Sequence, residues 1–261
     1  MILFAIAFLS AFSQDSHASA TVQISRATKK MTISSHLIFY GPDATPTIAS
    51  ASTGEISRMW NEPQAIVQLQ GVPYRVEFAI TSEVVTIEQA AMRARFNGDV
   101  GNCFVMVEKN NDLNVSFWTS LGSNAGDFVL KDNLGVSTTT AHEYGHGLGL
   151  DHPTQTDIRG HGQPGIMFPR GTIVDSIYQW SPAVAAGQPG GTLNPSKRKV
   201  LQADVDHLNL ASLNFVSDRA LIGHLTNQIL KPTTGEKSLI DENTCQAGED
   251  VQLERVTGAI E

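Results

Sequence analysis

Covalent reinforcement is scarce in this chain: two cysteines, Cys103 and Cys245, stand among 261 residues. That excludes a disulfide framework and leaves either one bridge tying the C-terminal tail to the body or two free thiols. Basic side chains are also few, 18 against 26 acidic ones for a formal charge of −8, and no basic run is longer than Lys197-Arg198-Lys199. Nucleic acid, whose phosphates call for a basic stripe, is therefore not expected as a partner. Aromatic residues make up only 7%, yet a hydrophobic content of 41% suffices for a core, so neither a disordered polymer nor a fibre is expected. The one long apolar run, Met1 to Phe12, is shorter than the ~20 residues of a membrane span. Followed by Ala18-Ser19-Ala20, it reads as a secretory signal peptide, residues 1–20, cleaved after Ala20. No membrane span is expected after signal removal, and the product is expected to be secreted, periplasmic or extracellular. The sequence says nothing of oligomeric state.

Hydrophobic periodicity then divides the chain. Met31 to Tyr40 reads as a strand, residues 48–61 as a helix with Ala49, Ile56, Met59 and Trp60 on its buried face, and Tyr74 to Ile80 as an alternating, half-buried strand. Shorter strands are expected at Cys103 to Val107, Asn114 to Trp118 and Asp127 to Leu130, which makes the fold class α+β. Ser137 or Thr138 caps a helix that runs to a stop near Gly149, and a long loop follows. Asn194-Pro195 opens a further helix carrying Leu201, Val205, Leu208 and Phe215 on one face. Residues 21–216 are expected as the main domain, and 217–261 as a polar extension of unknown role with a weak helical stripe at Leu221, Leu225 and Ile229.

One segment carries chemistry. His142-Glu143-Tyr144-Gly145-His146-Gly147-Leu148-Gly149-Leu150-Asp151-His152 is HExxH extended to HExxHxxGxxH. On a helix, His142 and His146 project from one face one turn apart and can converge on a single metal ion, with Glu143 rotated about 100° away and within reach of a bound water. The third ligand needs the helix to end. Gly149 accepts the positive φ that ends it, and His152 returns three residues later. Three neutral imidazoles with an open fourth position form the ligand set of one catalytic Zn2+.

These residues resemble the metzincin clan of zinc metallopeptidases, and within it the matrixins, the matrix metalloproteinase family. The resemblance rests on HEYGHGLGLDH at 142–152 and on Gly165-Ile166-Met167-Phe168-Pro169, which is similar to the family's Met-turn, and it spans about residues 45–215. It implies a metzincin-like catalytic domain: a twisted mixed β-sheet, an active-site helix, a Met-turn with Met167 supporting the three imidazoles, and a C-terminal helix. It further implies that the loop from Arg170 to Leu193, longer than the family's, forms the wall of the pocket for the side chain after the scissile bond. No cysteine-switch segment is visible. The calcium and structural-zinc loops of animal matrixins have no clear counterpart, so structural Ca2+ is left unassigned.

The expected activity is that of a zinc-dependent endopeptidase acting on a protein or peptide substrate, with Glu143 as general base and general acid toward the zinc-bound water. An extended peptide is expected to add to an exposed strand edge, with Asn114 to Trp118 as the candidate. The alternative is an adhesion or binding module that keeps the fold without catalysis. Three further residues carry open readings: His161 as a cleft or surface histidine, Asp151 as an orienting or exposed carboxylate, and Asp204 as the anchor of the mature N-terminus, which the resemblance implies, or as a solvated helix residue.

Overall fold

The computed structural model describes residues 19–97 and 101–233, and these form a curled mixed β-sheet with helices on both faces. Strand β1 (Ala20–Ser25) pairs antiparallel with β2 (Lys30–Tyr40), the central strand. On one flank β2 runs parallel to β4 (Val72–Val84), which is backed by the short antiparallel β3 (Ile66–Leu69). On the other it runs parallel to β5 (Asn102–Glu108), and beyond β5 lie β7 (Ala125–Val129), parallel, and the two-residue edge strand β6 (Phe117–Trp118), antiparallel.

The period of two in β2 allots its side chains to two cores. Met31, Ile33, Leu37 and Phe39 belong to the larger core, with Ala49, Ile56, Met59 and Trp60 of helix α1 (Pro46–Asn61). Ile38 and Tyr40 belong to the smaller core, with Phe104, Met106 and Ala90 and Ala94 of helix α2 (Ile87–Arg95). Helix α1 begins where capping chemistry dictates: the Thr45 side chain accepts from the Ile48 N–H, and Pro46 fills the first helical position. Helix α2 was not expected, although Thr86 and Gln89 form a reciprocal capping box of the T-x-x-Q kind.

Three expectations need correction. Asn194 does cap, accepting from Ser196 N–H, but only a single 3-10 turn follows (Pro195–Lys197); the chain then extends, and helix α4 is confined to Gln202–His207. The interruption falls at Arg198, whose backbone is extended and whose side chain turns inward. The stripe at Leu221, Leu225 and Ile229 is not helical. Residues Arg219–Ile222 form strand β8 on the free edge of β1, burying Ala220 and Ile222, because an edge offers unpaired N–H and C=O groups and Gly223 at φ +80° stops a helix. The expected strand at Asn114 to Trp118 shrinks to Phe117–Trp118.

The folded body also overruns both expected boundaries. Ser19 and Ala20 are fully buried, so an edge at residue 20 would cut into the entry of β1. At the other end the chain continues past 216 as a strap: Leu230 N–H donates to the Tyr40 hydroxyl, and Thr233 N–H to Glu108. Cys103 is a free thiol, completely buried, and burial pushes it up to about 12; its proposed partner Cys245 lies outside the described residues. Residues 1–18, the rest of the expected signal peptide, also lie outside them. Among the described residues no helix is long and apolar enough to cross a membrane.

Ser19 joins distant parts of the body: its hydroxyl donates to Gly147 O at 2.6 Å, and its carbonyl accepts from Ser35 Oγ and Cys103 Sγ. A chain begun at Thr21 is therefore expected to be less stable than one begun at Ser19 by about 2 to 3 kcal/mol, the cost of leaving these buried groups without partners. Urea midpoints compare the two, and equal midpoints would contradict the role given to Ser19.

Candidate metal centre

The HExxH segment lies on helix α3, Thr139–Gly147, which packs in the larger core against α1. Thr138 does hold the N-cap position, but its side chain makes no capping bond; its backbone is left-handed at φ +73°. Ser137, the other expected cap, accepts from the Thr139 N–H through its hydroxyl oxygen at 3.3 Å, and further capping comes from Glu55 of α1, a carboxylate only 1% exposed. Its oxygens accept from Ser137 N–H, Ala141 N–H and the Thr140 hydroxyl, at 3.1, 3.2 and 2.7 Å. A negative charge here satisfies orphan donors and meets the positive end of the helix dipole. Trp60 adds a second tether, donating from its indole N–H to Ala141 O.

The end of α3 follows the expected logic. Gly149 sits at φ +93°, Gly149 N–H donates to His146 O and Leu150 N–H to Gly145 O, the paired bonds of a glycine-terminated helix. This turn delivers two groups to the site: the Leu150 carbonyl, 2.8 Å from His146 Nδ1, and His152 itself. The three imidazoles converge with ring centroids 4.8 to 5.1 Å apart, and their ligand atoms all lie within 4.8 Å of one another. His142 Nε2 and His152 Nε2 are 3.0 Å apart. Among the described residues this is the one group of three or more His, Cys, Asp or Glu side chains placed to hold a metal ion.

The Gly165-Ile166-Met167-Phe168-Pro169 turn completes the frame. Ile166 O lies 2.8 Å from His142 Nδ1, and the Met167 side chain packs on Gly145 so closely that a Cβ there would collide with the sulfur. A side chain between the two helix ligands would thus displace the Met167 thioether from its place against α3. Asp204, at the start of α4, accepts from Ile166 N–H and Leu201 N–H, so it clamps the turn and caps its own helix; neither of its two open readings describes this role. Glu143 is buried on α3, Asp151 is exposed and accepts from His152 N–H, and His161 lies on the surface.

Burial dominates the electrostatics. Desolvation, then the Arg198 guanidinium and the neighbouring imidazoles, hold His142 well below the usual histidine range. Desolvation also lowers His146, and with His146 beside it His152 is pushed down to about 4. The rings are therefore neutral at physiological pH, the form that binds metals. With two Nδ1 atoms on backbone carbonyls, the Nε2 atoms are left for a cation, and a tetrahedral divalent ion of zinc's size fits such a donor set.

Two residues of this frame were missed in the sequence. Glu55 gave a signal, a lone carboxylate within the apolar stripe of α1; Arg198 gave none beyond the basic run, which the fold splits by turning Lys197 and Lys199 outward and Arg198 inward. No family model matches the chain, and no curated protein matches it.

Replacing Glu55 by Ala is expected to lower stability by about 3 kcal/mol, since charged hydrogen bonds are lost and buried donors are stranded; the unfolding midpoint measures it. A second expectation concerns the metal-free protein, where depressed imidazoles mean that the unfolded chain binds protons the folded chain refuses. Their influence is nil above the unfolded value of 6.5 and destabilises the fold increasingly as pH falls toward about 4. Across that window the wild type should lose stability more steeply than His152→Gln, by up to about 3 kcal/mol. Parallel pH curves would remove His152 as the cause.

Proposed function

We propose that this chain is a secreted zinc-dependent endopeptidase of the matrixin-like metzincin kind. The observation that carries the reading is the convergence of His142, His146 and His152, with Glu143 on the same helix turn as the first of them. Zinc held by these three rings would supply Lewis acidity, polarising a carbonyl and making a water more acidic. Glu143, about 100° around α3 from His142, takes the proton of the attacking water and returns it to the leaving amine, a contribution of about 10²- to 10⁴-fold.

Substrate binding follows from the sheet. Among the described residues strand β6 pairs with β7 alone, so its outer edge is offered to an extended peptide, which adds as a further strand through main-chain hydrogen bonds. The loop from Arg170 to Leu193 is a structured wall rather than a loose excursion. Val174 and Leu193 bury with Ile158 in a small core of their own, and Phe168 of the methionine turn packs against it.

The decisive comparison is cleavage of a mixed quenched-peptide pool by the wild type, by the wild type with a zinc chelator, and by Glu143→Ala. Cleavage is expected only in the first, with Glu143→Ala still binding zinc. Turnover by Glu143→Ala would overturn the role given to that residue, and zinc binding without cleavage in the wild type would favour the non-catalytic binding module.

A further inference from the structure

Arg198 is the one cation buried against the histidine site among the described residues: it is 4% exposed, and its guanidinium reaches three elements at once. Its Nε donates to Thr138 Oγ1 at 3.2 Å, and its Nη1 donates to Phe168 O at 3.1 Å. The same Nη1 lies 2.9 Å from His142 Nδ1, and that nitrogen also lies 2.8 Å from Ile166 O.

One ring nitrogen thus faces a donor and an acceptor together, and it can satisfy only one of them at a time. With a proton on Nδ1, His142 donates to Ile166 O and its Nε2 lone pair is bare. Without that proton, Nδ1 accepts from Arg198, and the neutral ring carries its proton on Nε2, 3.0 Å from His152 Nε2. Only the first tautomer holds a metal ion. The usual outer partner of a ligating histidine is an acceptor, which makes the ring a better ligand. Ile166 O plays that part, and a guanidinium donor at the same atom has the opposite sign.

We propose that Arg198 is a positioning residue that weakens the hold of the three-histidine site on its metal ion, by competing with the Ile166 carbonyl for Nδ1 of His142. Its fixed positive charge, one imidazole away from the ligand atom, acts in the same direction, and a ring that donates less density leaves the ion more electrophilic. The hydrogen bonds to Thr138 and Phe168 hold the guanidinium at this place. Thr138, left-handed and β-branched, is itself kept there by Arg198 and by its own bond to Pro195 O.

The inference rests on the metal-site reading, and the test separates the two. Zn2+ affinity is measured by competition with a chromophoric chelator for the wild type, R198M, R198K and R198Q, alongside Co2+ absorption spectra and the unfolding midpoint of each metal-free protein. R198M, which loses charge and donors, is expected to bind Zn2+ about tenfold to a hundredfold more tightly, with a shifted Co2+ spectrum. R198K, which keeps the charge, should stay near the wild type. R198Q, neutral but still able to bond Phe168 O, should bind tightly even where R198M fails to fold. Equal or weaker binding by R198M and R198Q would overturn the proposal and leave Arg198 as a brace, whereas a wild type that binds neither ion would overturn the metal reading and this inference together.

Discussion

An imidazole that holds a cation through one nitrogen needs its other nitrogen fixed, because a ring free to turn spreads its lone pair over many directions. In this chain the fixing partners of His142 and His146 are main-chain carbonyls, Ile166 O and Leu150 O, each presented by a turn. One turn is held by the Asp204 carboxylate on Ile166 N–H, the other by Gly149 in the left-handed region. The rest of the centre depends on these two carbonyls. Were either turn to relax, the helix would still present two histidines one turn apart, but their lone pairs would no longer meet.

Charge is buried around this frame although charged side chains ordinarily stay in water, and each instance joins segments far apart in the chain. Glu55 joins α1 to the start of α3, Asp204 joins α4 to the methionine turn, and Asp132 accepts from Ser116 N–H and from Arg170. Forming such contacts adds little net stability, because desolvation offsets most of the attraction; losing one partner costs far more. They are better understood as constraints on geometry. An apolar core tolerates small slides between helices, whereas a carboxylate on two or three N–H groups does not.

The cluster of three histidines could be read from the sequence because it is a local pattern: His142, His146 and Gly149 take their places through the helix and its termination alone. Helix α1, β2, β4 and β5 were legible for the same reason, since each carries enough periodic apolar residues to declare its buried face. What could not be read is long-range. β8 is a strand only because β1 leaves an edge open, and the inward turn of Arg198 depends on Thr138, Phe168 and His142 being near it. The helix expected after Asn194 fails for that reason, a capping signal outweighed by tertiary bonds to the residue that would have continued it. Helix α2 is a different case: its capping box was visible, but it buries only Ala90 and Ala94 and leaves Met92 and Phe96 exposed, so no large apolar residue declares its buried face.

The carbonyl end of α3 makes the same division inside the site. A helix that ends in a protein interior leaves carbonyls that water cannot reach, and each must find a donor. Gly149 and Leu150 serve two of them locally, but His146 O also accepts from Gly122 N–H and Gly147 O from the Ser19 hydroxyl, 128 residues away in sequence. Closing so long a loop is entropically expensive before its contacts reward it. The motif can therefore form its helical turn early, while the rigidity that aims its histidines arrives only when the sheet has closed around β1 and the chain that follows β6. The convergence of the three histidines is a property of the completed fold, not of the eleven residues that announce it.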